Sequence, residues 1–597
     1  MLSACASEAA RKESVMREVD YGEVRMTEHR GHDDLLSAGL GLAGLTGMPS
    51  AFADPLQPTA RELRRRAIQA SWKGIADLGP LGGYGTVYGG VPDLPGCEYQ
   101  AFARIPGARS PHRVLLQVPD NFDRQKRCLV VTASSGSRGV YGAIALAGAW
   151  GLPHGCAVAY TDKGAGAGYF DYADDSGVAL DGRRAKRGEA ELEFQPPSAP
   201  VTAGIAIKHM HSGDNPEADW GRHVLQAAQF GLATLDRAYP AEAPFTPQNT
   251  KIIATGLSNG GGAVLQAAGL DKEGFFAGVV ALEPNVHVKD HGRAMYDYAT
   301  EAAIWLPCAL SAEDFAAVPL ARGPRGAALP AWPIRCARLR AQGKINGSTL
   351  AGQSAQAREY LQARGWTDEA IRSAASTTAF DLWRVTTAGY AASYLRRGAI
   401  DTPCGFHYAA IGIGGLPGVA DPVTRATWWA EGSGIPPGAG IGLFGGMNVS
   451  TDPTLVGSEC LRALWTGDGH EAQALQASVA ATAVRLPRKD LPLWVVHGAG
   501  DGLLPTAFSS EPYVAWLREE GRQPIYWKVP HAQHFDAFLA LPGFGDLHVP
   551  LLPYGYAALD RLWAHLYEGA VWPVDMPTPA AQPRGAAPLE RGKLGLP

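Results

Sequence analysis

The chain has 597 residues, 46% of them hydrophobic and 19% charged, with a net charge of -5. That length exceeds one ordinary core, and the composition is that of a globular protein. The charges are scattered, which argues against nucleic acid as a partner, and no run of about 18 apolar residues offers a membrane span.

Residues 1–20 read as an N-terminal tail. Within them Leu2-Ser3-Ala4-Cys5 has the form of a bacterial lipobox, and only Met1 precedes it. A signal segment needs a basic and an apolar stretch before such a site. The expectation is therefore an exported protein, secreted, periplasmic or lipid-anchored, with a shortened N-terminus and Cys5 as the candidate anchor.

A helix is predicted from about residue 62, in RELRRRAIQASWKGIADLG. Strand-like runs follow at Val114–Val118, Cys128–Ala133 and Cys156–Asp162, then a long helical stretch at Asp219–Tyr239, then strands at Lys251–Thr255 and Ala277–Pro284. This alternation predicts an α/β fold with a doubly wound, mostly parallel sheet. From 291 to 480 the pattern becomes helix-rich, with a Gly- and Pro-rich segment at 405–455, and a strand returns at Leu491–Gly498. We therefore read 21–290 and 481–575 as two parts of one α/β core. The stretch 291–480 reads as a large, mainly helical cap or lid, and 576–597, rich in Pro, Ala and Arg, as a flexible tail. Trp428 and Trp429 in the cap read first as packing and second as pocket lining.

The most informative stretch is KIIATGLSNGGGAVLQAAG. An apolar run with β-branched residues leads into Gly256-Leu257-Ser258-Asn259-Gly260, and an Ala- and Leu-rich helix start follows. G-x-S-x-G in that context is the nucleophile elbow of α/β-hydrolases, a strained turn that exposes the serine hydroxyl. A serine needs a base, and the base needs an orienting acid. In this fold they follow in the order Ser, Asp or Glu, His. WVVHGAGDGLLP places Asp501 just beyond a strand, where open α/β sheets bind ligands. PIYWKVPHAQHFDAF offers His534 in the loop after the next strand, with His531 as its rival. Ser258, Asp501 and His534 are thus the expected catalytic residues. An oxyanion hole needs two backbone amides. Asn259 is expected to supply one, and Ser135, Gly136 or Ser137, in the loop after CLVVTA, the other.

None of the eight cysteines forms a C-x-x-C pair, a pattern that argues against a zinc or redox site. Cys128 and Cys156 each open a strand, so adjacent parallel strands could be bridged there. Cys308–Cys336 and Cys404–Cys460 are the natural remaining pairs, with Cys97 left over. KHMH (Lys208–His211), HVKDH (His287–His291) and the acidic DYADDSG (Asp171–Gly177) are weak metal candidates without a recognised ligand spacing. No metal and no cofactor are expected, and no nucleotide-binding glycine motif is present.

Several long segments carry a family resemblance. Val131–Gly166, His209–Arg222, LSNGGGAVLQA, LWVVHGAGDGLLP and QHFDAFLALPGF resemble the D-(-)-3-hydroxybutyrate oligomer hydrolases. These are exported bacterial enzymes that act downstream of poly(3-hydroxybutyrate) depolymerases. The resemblance runs from about Asp33 to Arg584. It implies a capped α/β-hydrolase that hydrolyses 3-hydroxybutyrate oligomers, with Ser258 in the nucleophile position and Asp501 and His534 in matching segments. It also matches the six cysteines of the three candidate pairs. Capped esterases of the tannase and feruloyl esterase type are similar only in the elbow and layout. A serine peptidase with the same triad and a binding protein that kept the fold are the remaining rivals.

Overall fold

The computed structural model describes residues 21–198, 204–322, 329, 331–433, 438–447 and 451–596; Cys5 and the rest of the N-terminal tail lie outside them. In chain order the strands are β1 (Arg25–His29), β2 (Gly96–Ala103), β3 (His112–Pro119), β4 (Cys128–Ala133) and β5 (Ala157–Thr161). Four short strands follow, β6 (Tyr169–Asp171), β7 (Ser176–Val178), β8 (Arg184–Lys186) and β9 (Ile205–Ile207). Then come β10 (Lys251–Leu257), β11 (Gly278–Leu282), β12 (His407–Ile411), β13 (Pro417–Gly418), β14 (Ile441–Phe444), β15 (Leu493–Gly498) and β16 (Ile525–Val529).

Nine of these form one sheet in the order β1-β2-β3-β5-β4-β10-β11-β15-β16. From β5 to β16 every pairing is parallel, and β1, β2 and β3 add an antiparallel edge. Strands β4, β5, β11 and β15 are buried at every position. Both faces of the sheet are covered, which is why these strands read as continuous apolar runs rather than alternating ones. One face packs against the helices Pro216–Ala238, Asn259–Leu270 and Ser510–Glu519. The other packs against Ala60–Ile75 and Leu552–Tyr567. Local signals set these helix starts. Thr59 and Glu62 form a reciprocal capping box, and the Asn215 side chain accepts from the Ala218 amide with Pro216 in the first turn, where its missing N–H costs nothing.

Between β11 and β15 lie the helices of the cap, from Met295–Ala309 to His470–Ala480. They build a core of their own around Trp305, Leu306, Leu339, Leu361 and Trp383. The cap also holds the three-stranded sheet β13-β12-β14. A second piece of it comes from elsewhere in the chain. The sheet β8-β7-β6-β9 carries Tyr169, Ile205 and Ile207 into one apolar cluster with Tyr408, Trp428 and Ile441. No strand is predicted over 169–207, because each of these strands is only three residues long, too short for a period to register.

The three expected cysteine pairs are bonded: Cys128–Cys156, Cys308–Cys336 and Cys404–Cys460. The first ties the starting ends of the adjacent strands β4 and β5. Cys97 is free. Three disulfides fit an oxidising compartment, and among the described residues no helix is long and apolar enough to cross a membrane.

The C-terminal segment departs from expectation. Composition suggests a flexible tail from 576, yet Ala581, Leu589 and Leu594 are buried in the core beside the Leu552–Tyr567 helix. Leu589 N–H donates to the Leu81 carbonyl at 2.9 Å, and Tyr554 O–H donates to the Leu594 carbonyl at 2.7 Å. A few leucines at irregular spacing anchor it, and such contacts leave no trace in composition. Replacing Leu594 with Ala is therefore expected to destabilise the fold by about 2–4 kcal/mol through lost burial and a residual cavity. Urea unfolding of the two proteins tests this, and an unchanged midpoint would mean the segment does not pack.

Candidate active site

Strand β10 ends in the serine elbow. Ser258 has φ 57° and ψ -126°, a strained conformation for a residue with a side chain. The flanking glycines are dictated by close approach. A Cβ on Gly256 would lie 2.4 Å from the Gly260 carbonyl oxygen, and one on Gly260 would lie 2.3 Å from that of Ala133. Only glycine lets β10, β4 and the helix Asn259–Leu270 meet at this turn.

Ser258 Oγ donates to His534 Nε2 at 3.0 Å. His534 Nδ1–H in turn donates to Asp501 Oδ2 at 2.7 Å. The three residues therefore come together as a hydrogen-bonded array, each in a loop or turn at the carboxyl end of its strand: β10, β15 and β16. His531 stands apart. It is exposed, its φ is 60°, and its carbonyl accepts from the Val549 amide.

Asp501 is fully buried. Burial alone would raise its pKa, but the charge and hydrogen bonds of His534 and His497 outweigh this and hold it well below the usual carboxylate range. His497 Nε2–H donates to Asp501 Oδ2 at 3.0 Å, and the amides of Leu503 and Leu504 donate to Oδ1 at 2.8 and 2.6 Å. A second carboxyl, Glu283, sits at the end of β11 with φ 37°. Its Oε2 lies 3.7 Å from His534 Nδ1 and has no hydrogen-bond partner. Burial, with the charges of Asp501 and Asp536, pushes Glu283 well above the ordinary value. Two acids thus stand beside one imidazole, one pushed toward the ionised form and the other toward the neutral form.

Sequence reasoning does not find Glu283 or His497. Glu283 carries no motif of its own. His497 lies four residues before Asp501 inside an apolar strand, where a histidine reads as core.

Glu283, Asp501 and His534 place three ligand-type atoms within 4.8 Å of one another. The His534–Asp501 hydrogen bond occupies two of those atoms. The other metal candidates do not assemble among the described residues. His209 Nε2 bonds Glu217 at 2.7 Å and His211 Nδ1 accepts from the Ile207 amide. Asp171, Asp174 and Asp175 are spent on ion pairs with Arg425, Lys186 and Arg187.

The array opens into a cavity of about 300 Å³ lined by Ser258, Asn259, Ser135, Gly136, Ser137, Arg138, Glu283, His534 and Asp536, with apolar walls including Leu257, Phe380, Leu382, Phe535 and Phe538. Its size falls in the range of small-ligand sites. Trp428 and Trp429 are buried in packing clusters and are absent from its described lining. Among the described residues the amides of Ser135, Gly136 and Ser137 make no hydrogen bond, whereas those of Ser134 and Arg138 are taken by Thr161 and Ser135 carbonyls. The loop presses on Asn259: a Cβ on Gly136 would lie 3.2 Å from Asn259 Cβ.

A buried network holds Asn259. Lys163 Nζ donates to its Oδ1 at 2.6 Å, its Nδ2 donates to Tyr390 O–H at 3.0 Å, and Trp220 Nε1–H donates to its carbonyl at 3.1 Å. Lys163 also pairs with Glu217. Burial raises the Glu217 pKa, but Lys163 and His209 more than offset this and hold it at about 2. Tyr390 comes from the cap, so the network ties the cap to the residue after the serine.

A doubly wound sheet of this strand order, with a large insertion and a Ser–His–Asp array at its carboxyl edge, defines a capped α/β-hydrolase. Comparison with known proteins narrows this class. The model of the 3HB-oligomer hydrolase family matches residues 1–593, and the chain belongs to that family. It is 35% identical to a D-(-)-3-hydroxybutyrate oligomer hydrolase of Albidiferax ferrireducens, over 98% of this chain and 92% of the relative. It is 36% identical to one of Burkholderia thailandensis, with the same coverage. Among solved structures, feruloyl esterase B from Aspergillus oryzae matches 93% of this chain and 88% of its own, at 10% identity and a TM-score of 0.36. A likeness of that size carries no argument, and the fold class rests on the strand order itself. The chain is a carboxylic ester hydrolase.

The two carboxyls generate a prediction. Asp501→Asn is expected to lower kcat for a phenyl ester by roughly 10³- to 10⁴-fold, because the amide favours the wrong imidazole tautomer. Glu283 Oε2 lies 3.7 Å from Nδ1 and its pKa is pushed upward, so Glu283→Gln is expected to change kcat by less than about tenfold. Steady-state kinetics of both variants decide it, and a larger loss in Glu283→Gln would assign the orienting role to Glu283.

Proposed function

We propose that this chain is an exported serine esterase that hydrolyses D-(-)-3-hydroxybutyrate oligomers to monomers through an acyl-enzyme. The observation that carries the reading is the hydrogen-bond chain from Ser258 through His534 to Asp501, opening into a mostly apolar cavity. Membership of the oligomer hydrolase family supplies the substrate class.

Ser258 Oγ attacks the ester carbonyl while His534 Nε2 takes its proton. Asp501 holds the proton on Nδ1 and stabilises the imidazolium. Negative charge builds on the carbonyl oxygen, facing the Asn259 amide at the start of its helix and one free amide of Ser135, Gly136 or Ser137. The ester C–O bond then breaks, and His534 gives its proton to the departing alkoxide. Water, deprotonated by His534, releases the acyl group from Ser258. The network from Lys163 to Tyr390 keeps Asn259 fixed through these steps, so that its amide reorganises little. The cap acts as a lid that limits the site to short, soluble chains. The three disulfides support an extracytoplasmic location, and Cys5 remains the candidate lipid-anchor position.

The test is release of monomer from soluble 3-hydroxybutyrate trimer by the parent and by Ser258→Ala. The parent is expected to release it, and the variant to lose roughly 10⁴- to 10⁶-fold in kcat. Cleavage of a phenyl ester with no release from the trimer would move the substrate to another ester class.

A further inference from the structure

One charged group in the cavity wall has no role in the steps above. Arg138 follows directly on the Ser135–Ser137 loop and lines the same cavity as Ser258. Among the described residues no carboxylate pairs with it, and its Nε has no hydrogen-bond partner. Its one side-chain bond is a long 3.5 Å contact from Nη1 to the Ala70 carbonyl. Burial lowers its pKa, and only the Tyr169 phenol opposes the shift; no carboxylate does. A half-buried guanidinium with a buried, unpaired Nε and most of its five donors unused is a ready site for an anion.

The fold makes room for this group. The helix Ala60–Ile75 carries Gly74 in its last turn, where glycine weakens a helix. A Cβ there would lie 2.1 Å from Arg138 Cζ and 2.1 Å from Nη2. Gly74 and Ile75 themselves line the cavity, so the guanidinium lies against this part of its wall. The two carboxyls on the lining do not neutralise it. Glu283 is pushed well above the ordinary value, and burial raises Asp536 to about 7 despite the amides of Leu551 and Leu552. Neither makes an ion pair with Arg138.

A linear ester of a hydroxy acid has two unlike ends, a hydroxyl and a free carboxyl that is ionised at neutral pH. We propose that Arg138 binds the free carboxylate end of the oligomer in the cavity, so that the enzyme cleaves at a set distance from the acid end. A guanidinium suits this task because its planar fork matches a carboxylate. The inference rests on the oligomer reading and extends it to the orientation of the chain in the site.

The test compares 3-hydroxybutyrate trimer as the free acid and as its methyl ester, with wild-type protein, Arg138→Gln, Arg138→Lys and Gly74→Ala. Wild-type protein is expected to show a KM for the acid at least about tenfold below that for the methyl ester. Arg138→Gln should raise the KM for the acid by roughly 10- to 100-fold and that for the methyl ester by less than about threefold. Arg138→Lys should recover part of the loss, and Gly74→Ala, which displaces the guanidinium without removing it, should mimic Arg138→Gln. Equal KM values for the two forms in the wild type, or equal losses on both in Arg138→Gln, would overturn the inference and leave the oligomer reading intact. Wild-type protein that cleaves a phenyl ester but neither trimer would overturn both.

Discussion

The site depends on one buried hydrogen bond, from His534 Nδ1–H to Asp501. It joins two loops that follow neighbouring strands, and it fixes which imidazole nitrogen faces Ser258. A carboxylate so deep in the protein stays ionised only because it is saturated: two histidines share one oxygen and two amides the other. Glu283, a few ångströms away, shows the alternative. Its Oε2 has no donor, and burial together with the neighbouring negative charges pushes its pKa well above the ordinary value. The same depth in the protein thus shifts two acids in opposite directions, separated by their hydrogen-bond partners.

Around that bond the fold acts as a positioning device. Parallel pairing of β10, β11, β15 and β16 brings the carboxyl ends of four strands to one edge. The strain at Ser258 is sustained by packing on all sides, since glycines on either side leave room only for backbone. Above the edge, the cap is joined to the core through Tyr390 and Asn259. The cap is also a composite, because the small sheet from 169–207 shares its apolar cluster with residues beyond 400. Enclosure of the cavity is therefore built from chain segments far apart in sequence.

The cavity differs from an apolar ester pocket in its electrostatics. Its acids are raised toward neutrality, while Arg138 stands without a counter-charge. A cavity with one unpaired cation and mostly apolar walls suits a substrate that is apolar along its length and anionic at one end.

The sequence by itself determined the α/β class and the elbow at Ser258, placed Asp501 and His534 after it in the expected order, and offered the three cysteine pairs as candidates that the structure bonds. These features rest on local signals: an apolar strand, a glycine turn and a helix start lie within some fifteen residues, and Asp501 and His534 each follow a recognisable strand. Only the tertiary structure decided that Glu283 and His497 flank Asp501 and His534, that Lys163 and Glu217 hold Asn259, that Arg138 lines the cavity beside Gly74, and that Ala581, Leu589 and Leu594 pack into the core. Each of these depends on contacts between distant segments, and on whether a buried charge finds a partner. Composition and periodicity report what one segment prefers, whereas the pairing of a buried group is a property of its neighbours.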